Sequence, residues 1–216
     1  MLIGLYGGTF DPVHSGHVHA AESVRKFLGL DAVRLVLNAQ PAHKSLAYAM
    51  TAHRWAMLET ACANNRGLIA DDTEVRRGGH SYTVDTLSML RSEFPHAVLC
   101  WIVGEDSFAT LTSWRRWETL LEYCNLVVIP RPGQQVQFSE QIEALCREHE
   151  KGCFDTSRNG QIVRVDLPMR EVSSTAIRQR VALGQGIDDL VDADVAQYIH
   201  RNKLYKDDIT LREKTF

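Results

Sequence analysis

The fold of this chain follows from the stretch Gly7-Gly8-Thr9-Phe10-Asp11-Pro12-Val13-His14-Ser15-Gly16-His17. It comes directly after the apolar run Leu2-Ile3-Gly4-Leu5-Tyr6, which is typical of a buried strand, and before Val18–Leu28, which has helical spacing. The glycines, the turn and the histidines therefore lie at a strand-to-helix junction. A strand that passes through such a junction into a helix is the repeating unit of an α/β fold.

The same stretch has the properties of a phosphate site. Gly7 and Gly8 lack a Cβ, so a ligand can approach the backbone, and the start of the following helix offers free N–H groups with partial positive charge. His14 and His17 add polar side chains. The motif is neither G-x-G-x-x-G nor G-x-x-x-x-G-K-[ST], which excludes the dinucleotide fingerprint and the Walker loop. For the glycines alone, a purely structural turn is the alternative.

The histidines of this stretch also raise the alternative of a metal site. His17 and His19 are two residues apart, and side chains two apart on a helix face different directions. They do not converge with His14 as three ligands, so we expect no metal site built from protein side chains.

Strand-like and helical runs alternate along the chain, which predicts a Rossmann-like, doubly wound parallel sheet with helices on both faces. The length of 216 residues and the hydrophobic content of 44% suit a single domain. We expect that domain over residues 1–205, a polar excursion from the core within 140–160, and a loose tail over 206–216. The predicted strands are Leu2–Tyr6, Ala32–Leu37, Val98–Val103, Asn125–Ile129 and Ile162–Val165, and the predicted helices are Val18–Leu28, Thr51–Asn64, Thr83–Phe94, Phe138–Glu150, Ser174–Leu183 and Asp192–Lys203.

Composition and charge argue against several classes of function. The net charge of -3 gives no general electrostatic reason to bind nucleic acid or an acidic membrane. The five cysteines are odd in number and contain no C-x-x-C pair, so we expect reduced thiols, as in the cytoplasm, with Cys100 in the core. We predict neither a signal peptide nor a membrane span, because the apolar amino-terminal run ends at Gly7.

The opening stretch matches the GGxFDPxHxGH element of the nucleotidyltransferase superfamily, whose members transfer a nucleoside monophosphate from a triphosphate. From near its first residue to about Tyr205, the chain resembles the bacterial nicotinate-nucleotide adenylyltransferases. This resemblance implies an enzyme that binds ATP and nicotinate mononucleotide. It places ATP on Gly7, Gly8, Thr9, Phe10, His14, Gly16 and His17, and it places the mononucleotide on Gly8 and Thr9 as well.

A second block of the resemblance follows the second predicted strand. Pro41-Ala42-His43-Lys44 resembles a P-P-H-K/R loop, with Ala42 where the family usually has a second proline. Pro41 still restricts the backbone, and Lys44 supplies the cation. The resemblance assigns Lys44 and the preceding Asn38 to the substrate, whereas a solvated surface lysine is the alternative for Lys44.

A third block, Ser81–Leu87, resembles the substrate-side signature of the family. Capping preference alone makes Ser81 or Thr83 a helix cap. The resemblance implies that the main-chain N–H groups of Thr83 and Arg115 hold the nicotinate carboxylate, for which fixed backbone donors are well suited. It also stacks Trp114 on the nicotinate ring, where half-buried packing is the alternative, while we expect Trp117 in the core.

Two later blocks also follow or open predicted elements. Gly104 and Asp106 follow a strand, where ligands of open α/β sheets collect, and they suit ribose hydroxyls, although Asp106 can instead be a helix N-cap. Val172–Arg180 resembles the element I-S-S-T-x-I-R, with Val172 for the usual isoleucine. Its predicted phosphate site consists of a capped helix start with an arginine on the same face, and a cap with a chance arginine is the alternative. The residues assigned to it are Ser173, Ser174 and Arg178, with Arg131 as a further candidate.

The implied reaction is direct in-line transfer without a covalent intermediate, because phosphoryl chemistry requires positioning and charge neutralisation more than a nucleophilic side chain. The expected catalytic residues are His14, His17, Lys44 and Arg178, and Mg²⁺ is expected to arrive with ATP without a protein cage. His17 is the first choice for stabilising the transferring phosphate, since an imidazole titrates near neutrality.

Other functions are compatible with parts of this pattern. Phosphopantetheine adenylyltransferases and cytidylyltransferases share the first motif, and a nicotinamide-preferring adenylyltransferase differs only in main-chain geometry at Thr83 and Arg115. A non-catalytic nucleotide-binding sensor and a metal-dependent hydrolase built on His14 and His17 are alternatives of other classes. The sequence leaves open whether the chain is a monomer or a homo-oligomer.

Overall fold

A computed structural model of the chain describes residues 1–40, 47–130, 136–150 and 153–206. Within these ranges the strands are β1 (Leu2–Gly8), β2 (Ala32–Leu37), β3 (Leu68–Asp71), β4 (Val98–Gly104), β5 (Asn125–Ile129) and β6 (Ile162–Arg164). The helices are α1 (Ser15–Leu28), α2 (Thr51–Ala63), α3 (Thr73–Arg77), α4 (Thr83–Glu93), α5 (Glu105–Ala109), α6 (Leu120–Tyr123), α7 (Glu140–His149), α8 (Ser174–Ala182) and α9 (Ala193–Arg201), with 3₁₀ turns at Leu111–Ser113 and Trp117–Thr119.

The six strands form one sheet in the order β3-β2-β1-β4-β5-β6, and every neighbouring pair is parallel. The chain builds one side of the sheet from β1 outward, then returns through α4 to β4 and builds the other side. The order therefore reverses between β1 and β4. In such sheets ligands bind beyond the carboxyl ends of the strands at this switch point.

The sheet has a hydrophobic core on each face, because successive strand residues point to opposite sides. In β4, Cys100 and Ile102 join the first core, whereas Leu99, Trp101 and Val103 join the second. Helices α1, α2, α8 and α9 cover the first core, and α4, α5, α6 and α7 cover the second. The predicted doubly wound fold and the core position of Cys100 are confirmed.

The predicted elements differ from the structure mainly at their ends. Helix α1 begins at Ser15, three residues before the predicted start, because His14 caps it. The short elements β3 and α3 were not predicted, since four residues of an edge strand and five mostly polar helical residues give little periodicity. No helix within the described ranges is both long and apolar enough to span a membrane.

The predicted excursion within 140–160 is tied to the sheet over its described part. The Asn125 side-chain amide donates to the Arg158 carbonyl at 3.0 Å, and the Asn159 side chain accepts from the Leu99 N–H at 3.2 Å. Asn125 Oδ1 also accepts from the Gln161 N–H at 2.9 Å. These contacts fasten the segment beneath the amino-terminal ends of β4 and β5. Of the predicted tail, only Lys206 lies within the described residues.

Candidate active site

The loop between β1 and α1 is built around a buried phenylalanine. Phe10 adopts a left-handed backbone conformation, with φ of 47°. A Cβ on Gly8 would lie 2.7 Å from the Phe10 ring, and a Cβ on Gly7 would lie 2.7 Å from the Trp101 ring. The edge of Phe10 meets the His17 ring, with centroids 5.0 Å apart. The two glycines thus leave room for the Phe10 and Trp101 rings beside the backbone. Phe10 in turn packs against the His17 ring.

His14 and His17 form a stacked pair at the start of α1, with ring centroids 3.6 Å apart. His14 is the N-cap, and its Nδ1 accepts from the His17 N–H at 3.3 Å. Burial lowers the pKa of His14 to about 4, so the ring is neutral at pH 7 and carries its proton on Nε2. A Cβ on Gly16 would come within 3.0 Å of His14 Nδ1. His14 is therefore a neutral hydrogen-bond donor at a helix N-terminus.

His19 lies apart from this pair. Its Nε2 is 2.8 Å from the Pro168 carbonyl, on a different side of α1 from the His14–His17 stack. The prediction that His17 and His19 face different directions is confirmed. Among the described residues, no group of three or more His, Cys, Asp or Glu side chains is arranged to hold a metal ion.

The carboxylate of Asp11 organises the loop from inside the protein. It is buried and accepts from the Tyr48 N–H at 2.6 Å, the Ala49 N–H at 3.2 Å and the Tyr205 hydroxyl at 2.8 Å. Burial and the negative charge of Asp11 raise the pKa of Tyr205, which keeps its hydroxyl protonated as a donor. Sequence reasoning assigned no role to Tyr48 or Tyr205, because neither lies in a motif and both meet Asp11 only in the folded chain.

The start of α8 meets this loop directly. Ser173 caps the helix by accepting from the Ala176 N–H at 3.2 Å, as predicted. Ser174 Oγ donates to the Pro12 carbonyl at 3.0 Å, and Arg178 Nη1 donates to the Asp11 carbonyl at 2.6 Å. Two motifs separated by more than 160 residues are thereby joined, and two helix N-termini, those of α1 and α8, lie at one edge of the sheet.

Arg178 is buried beneath an aromatic ring. Its guanidinium lies 4.1 Å from the ring centroid of Tyr48, an exposed residue, and Nη2 donates to Thr175 Oγ1 at 3.1 Å. A guanidinium held between a ring and a backbone carbonyl keeps its orientation. Its hydrogen bond to the Asp11 carbonyl places this cation at the junction of the two motifs.

The third block surrounds the start of α4. Thr83 is the first residue of the helix, and Tyr82 is the N-cap without a side-chain hydrogen bond. The prediction that Ser81 or Thr83 caps this helix is therefore wrong. Ser81 Oγ instead accepts from the Gln40 N–H at 3.3 Å, and the Ser81 N–H donates to the Gln40 carbonyl at 2.8 Å. Ser81 thus joins α4 to the segment that follows β2, and the Thr83 amide is one of the first-turn N–H groups.

The turn that carries Trp114 lies against the same helix start. Asp85, in the first turn of α4, pairs with Arg116 at 3.1 Å and with Arg115 at 3.6 Å. The Arg115 guanidinium also lies 4.8 Å from the ring centroid of Tyr82. These contacts bring the predicted carboxylate donors, the Thr83 and Arg115 amides, to neighbouring elements.

The two tryptophans of this turn occupy similar environments. Trp114 and Trp117 are both half-buried and pack against the second core. Trp117 was expected in the core, and it packs against the core as a half-buried side chain. Trp114 packs against the same core. Its stacking on a nicotinate ring stays a prediction.

A buried carboxylate lies behind the start of α4. Glu74 Oε1 accepts from Thr86 Oγ1 at 2.7 Å, and Arg77 Nη1 donates to Thr86 Oγ1 at 3.0 Å. Burial raises the pKa of Glu74, while hydrogen bonds from the side chains of Ser81 and Thr86 oppose that shift. This cluster connects α3 to α4 and supports the position of Ser81.

Three of the predicted site residues, Asn38, Gly104 and Asp106, lie at or just after the carboxyl ends of β2 and β4. The N-cap of α5 is Gly104, so the alternative that Asp106 is the N-cap is wrong. A Cβ on Gly104 would lie 2.7 Å from Asp106 Oδ1, so the glycine leaves room for that carboxylate in its present position. The Asn38 N–H donates to the Gly8 carbonyl at 2.9 Å. This bond lies beside residues 9–14 between β1 and α1, called the phosphate loop after the site predicted there. Lys44 and Arg131 lie outside the described residues.

A glycine-rich strand end and two capped helix starts meet near the switch point of a parallel sheet, and this arrangement defines an α/β protein of the nucleotide-binding class. The profile of the cytidylyltransferase-like family matches residues 5–180. A probable nicotinate-nucleotide adenylyltransferase of Aeromonas salmonicida is 42% identical over 209 residues, covering 95% of this chain and 98% of the relative. One of Neisseria meningitidis serogroup B is 37% identical over 204 residues, covering 94% and 98%. The chain therefore belongs to the nicotinate-nucleotide adenylyltransferases of the cytidylyltransferase-like family.

A comparison of folds agrees with this assignment. The nicotinic acid mononucleotide adenylyltransferase of Plasmodium falciparum, in a structure complexed with NaAD, aligns with a TM-score of 0.73 over 94% of this chain and 96% of that one. The two sequences are 20% identical, so the likeness concerns the fold alone.

Proposed function

We propose that this chain transfers AMP from ATP to nicotinate mononucleotide, giving nicotinate adenine dinucleotide and pyrophosphate in a step of NAD biosynthesis. One observation carries the proposal: the hydrogen bonds of Ser174 and Arg178 to the backbone of Pro12 and Asp11 join two anion-binding helix starts. Relatives at 42% and 37% identity bear the name of this activity. A triphosphate and a mononucleotide together carry several phosphate groups, and two joined sites accommodate them better than one.

The ATP phosphates are proposed to lie between the starts of α1 and α8. The amides of each first turn point out of the helix, and the helix dipoles favour negative charge there. His14 donates from Nε2 as a neutral ring, and Arg178 supplies a fixed positive charge. The residues proposed for ATP are Gly7, Gly8, Thr9, Phe10, His14, Gly16, His17, Gly104, Asp106, Ser173, Ser174 and Arg178, together with Arg131, which lies outside the described residues.

The mononucleotide is proposed to lie toward α4. The Thr83 amide and the Arg115 amide are held on adjacent elements by the ion pairs of Asp85, and they suit a carboxylate because a backbone N–H cannot lose its charge complementarity by titration. Trp114 offers a half-buried ring face for the pyridine. The residues proposed for this substrate are Gly8, Thr9, Asn38, Thr83, Trp114 and Arg115, together with Lys44, which lies outside the described residues.

A divalent cation, proposed to be Mg²⁺, fits a site of this composition as a companion of the nucleotide. The side chains proposed to face the phosphates are donors, and the carboxylate of the loop, Asp11, already accepts from Tyr48, Ala49 and Tyr205. The ion's oxygen ligands would therefore come chiefly from the phosphates and water, and the residues around His14 and Arg178 would hold those phosphates. When bound, such an ion neutralises charge on the triphosphate.

The chain's own contribution to the reaction is orientation and charge. The phosphate of nicotinate mononucleotide is ionised at neutral pH and is its own nucleophile, so the attack on the α-phosphorus requires no enzyme base. His17, stacked on His14 and backed by Phe10, is fixed at the start of α1, where we propose that it stabilises the transferring phosphoryl oxygens. Arg178 is proposed to balance the charge of the departing pyrophosphate.

The test measures pyrophosphate release from ATP and Mg²⁺ with three separate acceptors: nicotinate mononucleotide, nicotinamide mononucleotide and phosphopantetheine. A mock preparation, purified in parallel from cells that carry the empty vector, is the control for contaminating activity. We expect release with nicotinate mononucleotide, a dinucleotide product of matching mass, and little release with the amide.

The other outcomes discriminate between the alternatives. A preference for the amide keeps the chemistry and refutes the backbone carboxylate site. Pyrophosphate release only with phosphopantetheine refutes nicotinate mononucleotide as the acceptor. ATP binding without release for any acceptor favours a sensor, and equal release from the empty-vector preparation assigns the activity to a contaminant.

A further inference from the structure

Arg54 is a buried arginine, and no carboxylate among the described residues lies within hydrogen-bonding distance of its guanidinium. The side chain belongs to α2, and the residue is 1% exposed. All five N–H groups have partners: Nε donates to the Ala49 carbonyl at 3.2 Å, Nη1 to the Thr9 carbonyl at 2.9 Å and to the Asn38 carbonyl at 2.7 Å, and Nη2 to the Ala39 carbonyl at 3.1 Å and to Thr51 Oγ1 at 3.1 Å.

These partners belong to three segments that border the proposed site. Thr9 follows β1 in the phosphate loop, Asn38 and Ala39 follow β2, and Ala49 precedes α2. In sequence, Ala39 and Ala49 stand on either side of residues 41–46, which include Lys44. One planar group therefore fixes the carbonyls of the phosphate loop relative to those of the next strand end.

Stability alone does not account for this arrangement, because burying the Arg54 guanidinium costs free energy. The group loses its hydration without a direct carboxylate partner among the described residues, and burial lowers the pKa of Arg54, while the negative charge of Asp11 opposes that effect. An apolar side chain of similar volume would fill the space but would leave four backbone carbonyls without this donor. The five N–H groups of a guanidinium have a fixed fork geometry, whereas a lysine has three donors on a single nitrogen.

We infer that Arg54 is a positioning residue for the proposed adenylyl transfer, setting the separation between the phosphate loop after β1 and the chain segment after β2. The inference rests on the proposed function, because its readout is the rate of that reaction. Small displacements of groups that align an in-line attack reduce turnover more than binding. Arg54 makes this contribution through Thr9 and Asn38, without itself contacting substrate.

The chain provides a matched control in Arg91. Its guanidinium also binds backbone carbonyls, those of Phe94, Pro95, Ala97 and Tyr123, at distances of 3.2, 3.4, 2.6 and 2.6 Å. Burial lowers the pKa of Arg91 as well. These carbonyls lie near the amino-terminal ends of β4 and β5, at the opposite edge of the sheet from the site. Arg91 and Arg54 are thus the same kind of clamp in two places.

The experiment compares Arg54→Lys with Arg91→Lys in steady-state kinetics and thermal unfolding. We expect both variants to lose stability, and only Arg54→Lys to lose kcat, by about 10- to 100-fold, with each KM within about threefold of the wild-type value. Equal kcat values for the two variants would overturn the inference, because the loss would then be a general effect of weakening a carbonyl clamp. An Arg54→Lys variant with a raised KM and an unchanged kcat would also overturn the inference.

Thr51→Val keeps the inference testable if Arg54→Lys does not fold. It removes one acceptor of Nη2 and keeps the shape of the side chain. We then expect a small fall in unfolding temperature and a fall of about threefold in kcat, and an unchanged kcat overturns the inference. Wild-type protein that forms no dinucleotide refutes the proposed function itself, which distinguishes that failure from an active wild type with unaffected variants.

Discussion

At the scale of single residues, the candidate site depends on groups that are fixed before any ligand arrives. His14 caps α1 through Nδ1, and the same contact sets the tautomer that leaves Nε2 as a donor. Phe10 supports the His17 ring, and Gly8 makes room for Phe10. Preorganisation of this kind reduces the reorganisation that a transition state would otherwise require.

We expect His17→Ala to lower kcat by about 10²- to 10³-fold, with a much smaller change in KM, because the lost stabilisation belongs to the transferring phosphate. Steady-state kinetics with ATP and nicotinate mononucleotide measure both constants. His19→Ala is the matched control, since His19 lies two residues away and bonds to Pro168. An unchanged kcat in His17→Ala removes the residue from the mechanism.

Burial of His14 makes a prediction about stability against pH. Its pKa is lowered from 6.5 to about 4 on folding, so between these values the unfolded chain binds the extra proton and the free energy of unfolding falls as pH decreases. Relative to His14→Asn, which keeps a capping acceptor, the wild type should lose about 3 kcal/mol between pH 7 and pH 4. Denaturant unfolding at several pH values measures this difference. Parallel curves would contradict it, and His80→Asn at an exposed position is the control.

At the scale of elements, α4 and the Trp114 turn depend on each other. Asp85 lies in the first turn of α4 and pairs with both Arg115 and Arg116 across a partly exposed surface. Single exposed ion pairs contribute little to stability. Here the pairs orient two backbone segments, so their effect should appear in substrate affinity.

For Asp85→Asn we expect KM for nicotinate mononucleotide to rise by about threefold or more, with KM for ATP and the unfolding temperature nearly unchanged. Steady-state kinetics with each substrate varied in turn separate the two constants. Asp72→Asn removes a comparable ion pair, with Arg76 at 2.8 Å, and should leave both constants unchanged. Equal increases in both KM values for Asp85→Asn would refute the specific role.

The sequence predicts long elements better than contacts between them. The helix and strand runs with clear periodicity appear in the structure within a few residues, and the cap at Ser173 is confirmed. The N-cap of α4 is Tyr82 rather than Ser81 or Thr83, because Ser81 is bonded to Gln40, about 40 residues earlier in the chain. A local propensity cannot predict a competing partner so distant in sequence.

At the scale of the whole molecule, the site draws on both ends of the described chain. Asp11 contacts Tyr48, Ala49 and Tyr205, and Arg178 contacts Asp11. Motif reasoning predicts which residues face the ligand, but it does not predict the buried residues that support them. Tyr205 and Arg54 belong to no recognised motif. Their roles follow from the contacts they make in the folded chain, with Asp11 and with the Thr9 and Asn38 carbonyls respectively.

We expect Tyr205→Phe to destabilise the protein by about 1 to 3 kcal/mol, since Asp11 Oδ1 then keeps only the Ala49 N–H. We also expect a fall in kcat, because Asp11 holds the phosphate loop. Tyr198→Phe in α9 removes a hydroxyl that lies 3.0 Å from His53 Nδ1, and it should cost stability without lowering kcat. Unfolding and kinetics on both variants test this, and a normal kcat for Tyr205→Phe would contradict it.

The hydrogen bond between Tyr205 and Asp11 also orders events during biosynthesis. The hydroxyl that completes the loop is added 194 residues after the carboxylate it binds. At ordinary rates of translation this interval lasts roughly 10 to 40 s, and residue 205 must still emerge from the ribosome. A nascent chain that has already folded its first strands would therefore hold an unfinished loop until residue 205 has emerged, so catalytic competence should be acquired late and in one step rather than gradually during synthesis.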